Sequence, residues 1–393
     1  MNILAIHDDK SGHKSQIEGV INALKLTIPD IGIQYIIVNK SNTNLFSKFF
    51  PTCTCLLTRL LKATIKQSFD QKTPRLILAV GRSTLPTAIY AKKYYHKQNS
   101  RENFNPNNPT LVYLMPPGKS GKGYIDYVFF HAYKNQRKTK KYIKAWLNKI
   151  YPKVFKVVTT KQPVEIPIVA APHNLPFNLS STLPTNNDLP NLAKPIIAVL
   201  VGGNAKNIKF NRKAAQTLIN RLKLIKSENP CSIIMLTSRR TPVVEEKFLK
   251  SALHRLFSSN QAALDMPNPL LNSLGSSFTN SHYIFAFNYY FWGYHEHNQR
   301  EFNPYLAALQ KADKVIVTGE SISMISEACA LPKEIPIYIY FEPNFYSKRY
   351  SAFHQLLYKN SYAYPLSEIY KNPSQRVSLN TTNFVVNKIK EII

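Results

Sequence analysis

Residues 303–328 constrain this chain more than any other stretch: they read as helix, strand, polar turn, helix. Leu306, Leu309 and Ala312 suit a short amphipathic helix. Val315, Ile316 and Val317 form an apolar run of β-branched residues, the pattern of a strand buried on both faces of a parallel sheet. Thr318-Gly319-Glu320-Ser321 follows at the strand's carboxyl end, and Ser321 or Ser323 is placed to cap the next helix. Parallel strands are joined by long crossovers, usually helical, so this unit points to an α/β fold. In open α/β sheets ligands bind beyond the carboxyl ends of the strands. A carboxylate there, Glu320 or Glu327, can accept hydrogen bonds from ribose hydroxyls, and the free N–H groups of a helix start favour phosphate. Turns of this kind also occur with no ligand role, the carboxylates simply solvated, so the weight rests on the rest of the chain.

The same unit recurs. Ile3 to Ile6 is a short buried strand, residues 7–13 are a polar turn, and Ser15 to Leu26 reads as a helix with Ile17, Val20, Ile21 and Leu24 on one face. Gly12 would let the backbone turn tightly before that helix, with Gln16 in its first turn. His13 is expected over the carboxyl edge of the sheet, either as a general base or as a capping or surface histidine. Asp8, on the same turn, can act as the base or orient the imidazole. Further strands are expected at Ile33 to Val38, Leu76 to Val80, Leu111 to Met115 and Tyr127 to Phe130. The second of these runs ends in Gly81-Arg82-Ser83-Thr84, where Gly81 allows close backbone approach and Ser83 or Thr84 can cap a helix from Leu85 to Tyr95.

Residues 180–194, polar and carrying Pro184 and Pro190, read as a linker. Beyond them Ile196 to Val201 restarts the pattern and leads into Gly202-Gly203-Asn204, then a helix from about Arg212 to Ile225. Ser232 to Leu236 follows, ending in Thr237-Ser238-Arg239-Arg240-Thr241-Pro242. Two glycines at a strand end permit a phosphate-binding turn, and two arginines at a sheet edge can clamp an anion; two solvated arginines are the alternative. Tyr283 to Tyr290 and Ile335 to Phe341 read as strands, and Asn380 to Ile393 as a terminal amphipathic helix. The expected organisation is therefore a Rossmann-like domain over residues 1–185, a second over residues 195–365, and a helical segment over residues 366–393 that packs back on the first.

The net charge is +29, with 51 Lys and Arg against 22 Asp and Glu, and it points to acidic partners: nucleotides, anionic lipid or nucleic acid. Residues 1–160 hold 26 basic and 7 acidic side chains, so most of the excess lies in the first half. Lys134 to Lys156 has nine basic residues and no acidic one, with Tyr142, Trp146 and Tyr151 interleaved. A solvated helix face and a contact with an anionic membrane surface both suit that stretch. No RNA-binding module is visible, so nucleic acid is not expected as a partner. Residues 42–68 suit either a helical hairpin or a membrane-facing surface. Pro117 to Gly123 lacks the P-loop spacing and reads as a basic loop. Cys53, Cys55, Cys231 and Cys329 have no zinc-site spacing, which suits a reducing compartment. No signal peptide is expected ahead of Asp8 and Asp9, and no apolar run approaches the ~20 residues of a membrane span. The expected location is cytoplasmic, with peripheral contact at the inner face of the membrane as an option.

Gly12-His13 with Gln16, Gly202-Gly203, Ser238-Arg239-Arg240-Thr241, Asn303-Pro304-Tyr305 and the run Val317 to Ala328 occur in one order. Together they resemble the mitochondrial-fission family named for the elongated-mitochondria phenotype of plants, which also has bacterial members. The chain departs from the family pattern at Glu320, where Asp is common, and at Leu331-Pro332-Lys333, where Gly-Lys-Pro is usual. The resemblance implies two Rossmann-like, doubly wound domains facing across a cleft, as in GT-B glycosyltransferases, and does not itself supply a reaction.

On that architecture the expected function is a transferase using a nucleotide-activated sugar as substrate, with no cofactor, for a cell-envelope acceptor. No Asp-x-Asp metal motif is evident, so protein cations and helix ends are expected to do the electrostatic work. The second domain would hold the donor. Gly202, Gly203 and Asn204 would approach its phosphates, with Ser321 and Ser323 at the neighbouring helix start. Arg239 or Arg240, in the turn made by Ser238 and Thr241, would neutralise the leaving pyrophosphate, and Glu320 or Glu327 would hold ribose. His13 or Asp8 in the first domain would deprotonate the acceptor, with Gly12, Gln16, Gly81, Asn303 and Tyr305 on the acceptor side or in the cleft. The competing expectation is a non-catalytic adaptor at a membrane surface that keeps the fold without the chemistry.

Overall fold

A computed structural model of the chain describes residues 1–38, 72–101, 108–116, 122–133, 163–175, 189–205, 208–264, 288–297, 304–341, 347–371 and 376–393. The stretches 42–68, 117–121 and 134–156, the linker residues 180–188, and Asn303 lie outside them. The chain divides into two units, Met1–Leu175 with Asn380–Ile393, and Pro176–Leu379.

The first unit opens with strand β1 (Asn2–Asp8), helix α1 (Ser11–Thr27), β2 (Gly32–Val38), β3 (Leu76–Ala79), α2 (Leu85–Arg101), β4 (Thr110–Tyr113), β5 (Tyr127–His131) and β6 (Val164–Ile168). These strands form one parallel sheet in the order β2-β1-β3-β4-β5-β6. Successive side chains of a strand point to opposite faces. Ile3, Ala5, Leu76 and Leu78 accordingly pack with Ile17, Val20, Ile21 and Leu24 of α1. Leu4, Ile6, Ile77 and Ala79 pack on the other face with Ala88, Ile89 and Tyr95 of α2. Both faces are covered, which is why these strands read as unbroken apolar runs. Helix α1 begins at Ser11, four residues before the expected start at Ser15. Gly12 and His13 therefore sit in its first turn and not in a preceding loop; the bend is made at Lys10, whose backbone is extended. Periodicity marks buried turns, and this turn has no apolar residue to mark it.

The second unit contains β7 (Ile196–Gly203), α3 (Arg212–Glu228), β8 (Ser232–Arg240), α4 (Val243–Leu264), β9 (Tyr289–Trp292), α5 (Tyr305–Lys311), β10 (Lys314–Thr318), α6 (Ile322–Cys329), β11 (Ile337–Tyr340), α7 (Lys348–Lys359) and the short β12 (Tyr364–Pro365). Its parallel sheet runs β12-β11-β10-β7-β8-β9. Ile197, Val199, Val201, Ile233 and Met235 pack against Leu218 and Leu222 of α3 and Leu249 and Leu253 of α4. Strand β8 outlasts its apolar run. Past an irregularity between Val201 and Gly203, Gly203 pairs with Arg240, so Ser238, Arg239 and Arg240 are held in the sheet and do not form a turn beyond it.

The last helix, α8 (Thr381–Ile392), returns to the first unit. The Asn380 side chain caps it by accepting from Asn383 N at 2.9 Å. Val385, Val386 and Ile389 join the layer beneath α1. Among the described residues no helix is long and apolar enough to cross a membrane.

Candidate functional site

Each sheet has one place where strand order reverses, and such a reversal opens a crevice at the carboxyl ends of the two strands beside it. In the second unit the reversal falls between β7 and β10, which are neighbours. At the carboxyl ends of those two strands stand Gly202-Gly203-Asn204 and Thr318-Gly319-Glu320-Ser321, with Gly202, Gly203 and Thr318 the last strand residues. Gly202 N donates to Thr318 Oγ1 at 2.8 Å, and Thr318 Oγ1 donates to Glu320 Oε1 at 3.0 Å, so the two turns are tied together. A side chain on Gly202 would press on Glu320 Oε1 and come within 2.9 Å of the Ser321 Cβ and 3.0 Å of Arg240 Nη2. Gly203 has φ +97°, in the left-handed region that favours glycine. These two glycines let strand, turn and arginine converge.

Arg240 reaches this point from β8. Its Nη1 donates to the Asn204 carbonyl at 3.2 Å, and Asn204 N donates back to the Arg240 carbonyl at 2.8 Å. The Ser238 hydroxyl donates to the Gly202 carbonyl and accepts from Arg240 N at 3.2 Å. Thr241 Oγ1 accepts from Ser238 N at 3.1 Å. Ser238 and Thr241 thus shape the segment that presents Arg240. Ser321 occupies the cap position of α6 but makes no side-chain cap bond; Ser323 lies half-buried one residue inside the helix. The Tyr305 hydroxyl donates to Glu327 Oε2 at 2.6 Å, so Tyr305 belongs with Glu327 in the second unit and not with Gly12, Gln16 and Gly81 in the first. Burial, then the Glu327 charge, raises the Tyr305 pKa well above its usual value. Glu320 is buried, and burial lifts its pKa to about 7 against the opposing pull of Arg240 and of hydrogen bonds from Thr318 and the Gly203 backbone.

Three further groups hold this constellation, and none stands out in the sequence. His354 Nε2 donates to the Gly319 carbonyl at 2.7 Å, its ring edge-on to Phe341 at 4.4 Å. Burial lowers the His354 pKa to about 4, so the ring is neutral. Glu246, in the first turn of α4, looks like a solvated acid but is buried. It accepts from Thr237 Oγ1 at 2.5 Å and from His295 N at 2.9 Å, while His295 Nε2 donates to the Thr241 carbonyl at 2.8 Å. Arg376, also buried, donates to the carbonyls of Cys329, Leu331 and Pro332 at the C-terminal end of α6.

In the first unit the reversal falls between β1 and β3. Asp8 ends β1 and is fully buried. It accepts from His13 Nδ1 at 2.6 Å, Lys10 Nζ at 2.9 Å, Ser83 Oγ at 3.0 Å and Lys10 N at 3.3 Å. Burial alone would raise the Asp8 pKa; Lys10, His13 and Ser83 outweigh it and hold the carboxyl below the usual range. Burial lowers the His13 pKa despite the Asp8 charge. Near neutral pH the pair is a carboxylate and a neutral imidazole with Nδ1–H directed at Asp8. Its Nε2 is then the basic atom, the arrangement in which a carboxylate orients an imidazole base. Gly81, with φ +98°, is part of the same fit: a Cβ there would lie 2.9 Å from His13 Nδ1 and 3.0 Å from Asp8 Oδ2. Gln16 is buried one turn after Gly12 and His13, its Oε1 without a hydrogen-bond partner among the described residues. Ser83 was readable as a helix cap; its bond to Asp8 depends on β3 lying next to β1, which no local spacing reveals.

Two parallel, doubly wound sheets with polar constellations at their reversals define a tandem Rossmann-like α/β protein. The chain belongs to the family described as Mitochondrial fission ELM1, whose model matches residues 11–279 and 285–393. It is 25% identical over 372 residues to "Uncharacterized protein RP120" of Rickettsia prowazekii (strain Madrid E), covering 92% of this chain and 90% of that protein. Among solved structures it is similar to the UDP-GlcNAc 2-epimerase from Methanocaldococcus jannaschii, with a TM-score of 0.47, 12% identity and 100% of each chain covered. It is also similar to a glycosyltransferase from Rickettsia africae ESF-5, with a TM-score of 0.46, 13% identity, and 100% of this chain and 97% of that one covered.

Proposed function

We propose that the protein is a transferase that uses a nucleotide-activated sugar, with a cell-envelope molecule as acceptor. The observation that carries this reading is the convergence of Gly202, Arg240 and Glu320 at the β7–β10 reversal. Glycine N–H groups and the α6 start suit a diphosphate, and Arg239 or Arg240 would stabilise the charge that develops as the nucleotide leaves. Glu320 or Glu327 would accept hydrogen bonds from ribose. In the first unit His13 Nε2 would take the proton of the acceptor hydroxyl, with Asp8 holding the imidazole and stabilising it once charged.

A thermal-shift screen of the full chain against nucleotides and sugar nucleotides tests the reading. A ligand that binds only the native protein, at a hundred times its Kd, stabilises it by about 2.7 kcal/mol and raises the melting point. A rise with sugar nucleotides supports the proposal; no rise with any of them refutes it. The second reading, a non-catalytic adaptor at a membrane surface, draws on the family and on the nine basic residues of 134–156. It predicts salt-sensitive binding to anionic vesicles, abolished by changing Lys138, Lys140, Lys141 and Lys144 to Gln, with no response to nucleotides.

A further inference from the structure

The two oxygens of Glu320 have unlike surroundings. The residue is 2% exposed. Oε1 accepts from Thr318 Oγ1 at 3.0 Å. Oε2 has no hydrogen-bond partner among the described residues. A buried carboxylate oxygen with no donor is costly, and the cost is removed by pairing the charge or by protonating it. Arg240 stands close enough to share the space a Gly202 side chain would fill, yet its Nη1 is committed to the Asn204 carbonyl, and Oε2 remains without a donor. A protonated carboxyl in this setting keeps its accepting bond on Oε1 and carries an O–H on Oε2, the oxygen that has no hydrogen-bond partner among the described residues. What it lacks is an acceptor, and a diphosphate brings several.

We propose that Glu320 binds the donor as a neutral carboxylic acid, giving its Oε2–H to a non-bridging oxygen of the diphosphate, so that a carboxylate at this position takes a proton from solvent when the donor binds. The proposal rests on the nucleotide-sugar reading above and sharpens it: ribose recognition then falls to Glu327, already fixed by Tyr305. The groups that face Glu320 from each element around it are compatible with this exchange. Arg240 on β8 contributes positive charge, Thr318 on β10 and the Gly203 N–H on β7 contribute donors, and His354 on α7 is neutral where it meets Gly319. With burial lifting the Glu320 pKa to about 7, both protonation states are populated near neutrality, and taking up the proton costs little. The carboxylate form repels the diphosphate and the acid form binds it, so affinity falls as pH rises through about 7.

The experiment is calorimetric titration of the full chain with UDP-glucose, ADP-glucose and GDP-mannose, whose diphosphate diesters do not titrate near neutrality. Runs in two buffers of different ionisation enthalpy count the protons exchanged. The expected result is uptake of close to one proton at about pH 8 and a Kd about tenfold weaker at about pH 8 than at about pH 6. Glu320→Gln keeps a donor of the same length, so it should bind within a few-fold of the low-pH wild-type affinity and lose the pH dependence. Binding with no proton uptake and a flat Kd overturns the proposal and leaves the nucleotide-sugar reading standing. A loss of about a hundredfold or more in folded Glu320→Gln at low pH also overturns it and assigns the residue as an acceptor for ribose. No binding of any of the three ligands overturns both.

Discussion

His354→Gln separates what this ring does by shape from what it does by charge. The ring is buried and gives Nε2–H to the Gly319 carbonyl at 2.7 Å, with Nδ1 unpartnered among the described residues. Burial lowers its pKa from 6.5 to about 4. The native protein therefore keeps it neutral while the unfolded chain binds a proton below about pH 6.5, so stability falls as pH drops from about 6.5 toward about 4. The full difference is about 3 kcal/mol, of which about 2 kcal/mol is lost between about pH 7 and about pH 5. Gln places its Nε2 near the imidazole Nε2 and can keep the bond to Gly319, but it does not titrate. Urea unfolding of wild type and variant, followed by circular dichroism at several pH values, measures the comparison. The variant should lose some stability at about pH 7 from imperfect packing and then lose about 2 kcal/mol less than wild type on going to about pH 5. Parallel pH curves for the two proteins would refute a neutral, desolvated His354. His173 in the first unit, whose pKa burial also lowers to about 4, supplies an acid-sensitive background that the variant leaves unchanged.

Gly202→Ala and Gly203→Ala should differ in kind. Gly203→Ala meets backbone atoms of Arg240 and Thr241 at positive φ, and should cost at least about 1–3 kcal/mol in thermal or urea unfolding. Gly202→Ala first meets side-chain atoms of Glu320, Ser321 and Arg240 and not backbone, so it should cost less stability than Gly203→Ala and, by displacing Glu320 and Arg240, more sugar-nucleotide affinity. His13→Ala should leave donor affinity unchanged and lower turnover by ~10²–10⁴; Asp8→Asn should also lower turnover, by misorienting the imidazole, and normal turnover in both would refute the base assignment. Arg239→Ala with Arg240→Ala should weaken nucleoside-diphosphate binding more than nucleoside binding, and equal losses by calorimetry would place the pair away from the phosphates.

The parallel strands were legible because burial on both faces leaves an unbroken apolar run, as at Ile3 to Ile6 and Val315 to Val317. The turns were legible because Gly202, Gly203 and Gly81 interrupt such runs where backbone and side chains crowd. Helix α4 was missed although its apolar residues line the core, since Glu245, Glu246 and Lys247 fill its first turns with charge. The start of α1 was misplaced because its first turn has no apolar face. The partners of the site residues were out of reach for another reason. Asp8 meets Ser83, Gly202 meets Thr318, and Tyr305 meets Glu327 only through strand order and register, which act between residues 22 to 116 positions apart. Of the two arginines, the contacts single out Arg240, which reaches Asn204 and crowds Gly202.

The two reversals each carry a buried carboxylate, and the contrast between them argues for where an anion binds. Asp8 is surrounded by donors: an ammonium, an imidazole N–H, a hydroxyl and the Lys10 N–H at the threshold of α1. Its pKa is held low, so it is a fixed negative charge over the whole neutral range, standing where a phosphate would otherwise meet the helix start. A second anion at that place would meet a carboxylate that already occupies the Lys10, His13 and Ser83 donors. What the pair offers instead is a basic nitrogen backed by a charge, which suits a neutral hydroxyl. Glu320 has one oxygen bonded to Thr318, one without a hydrogen-bond partner among the described residues, and a pKa raised to about 7, beside an arginine and two glycines. Its charge can be cancelled by a proton, and the glycines leave the backbone open to a close approach. On the proposed reading the same topological position serves once to hold a proton acceptor and once to admit an anion. Ser83→Ala removes a donor from Asp8 and leaves more of the carboxylate's charge to His13, so the imidazole pKa should rise, read as an upward shift of the acid limb of the pH–rate profile. An acid limb that does not move in Ser83→Ala would show that Asp8 does not set the state of His13.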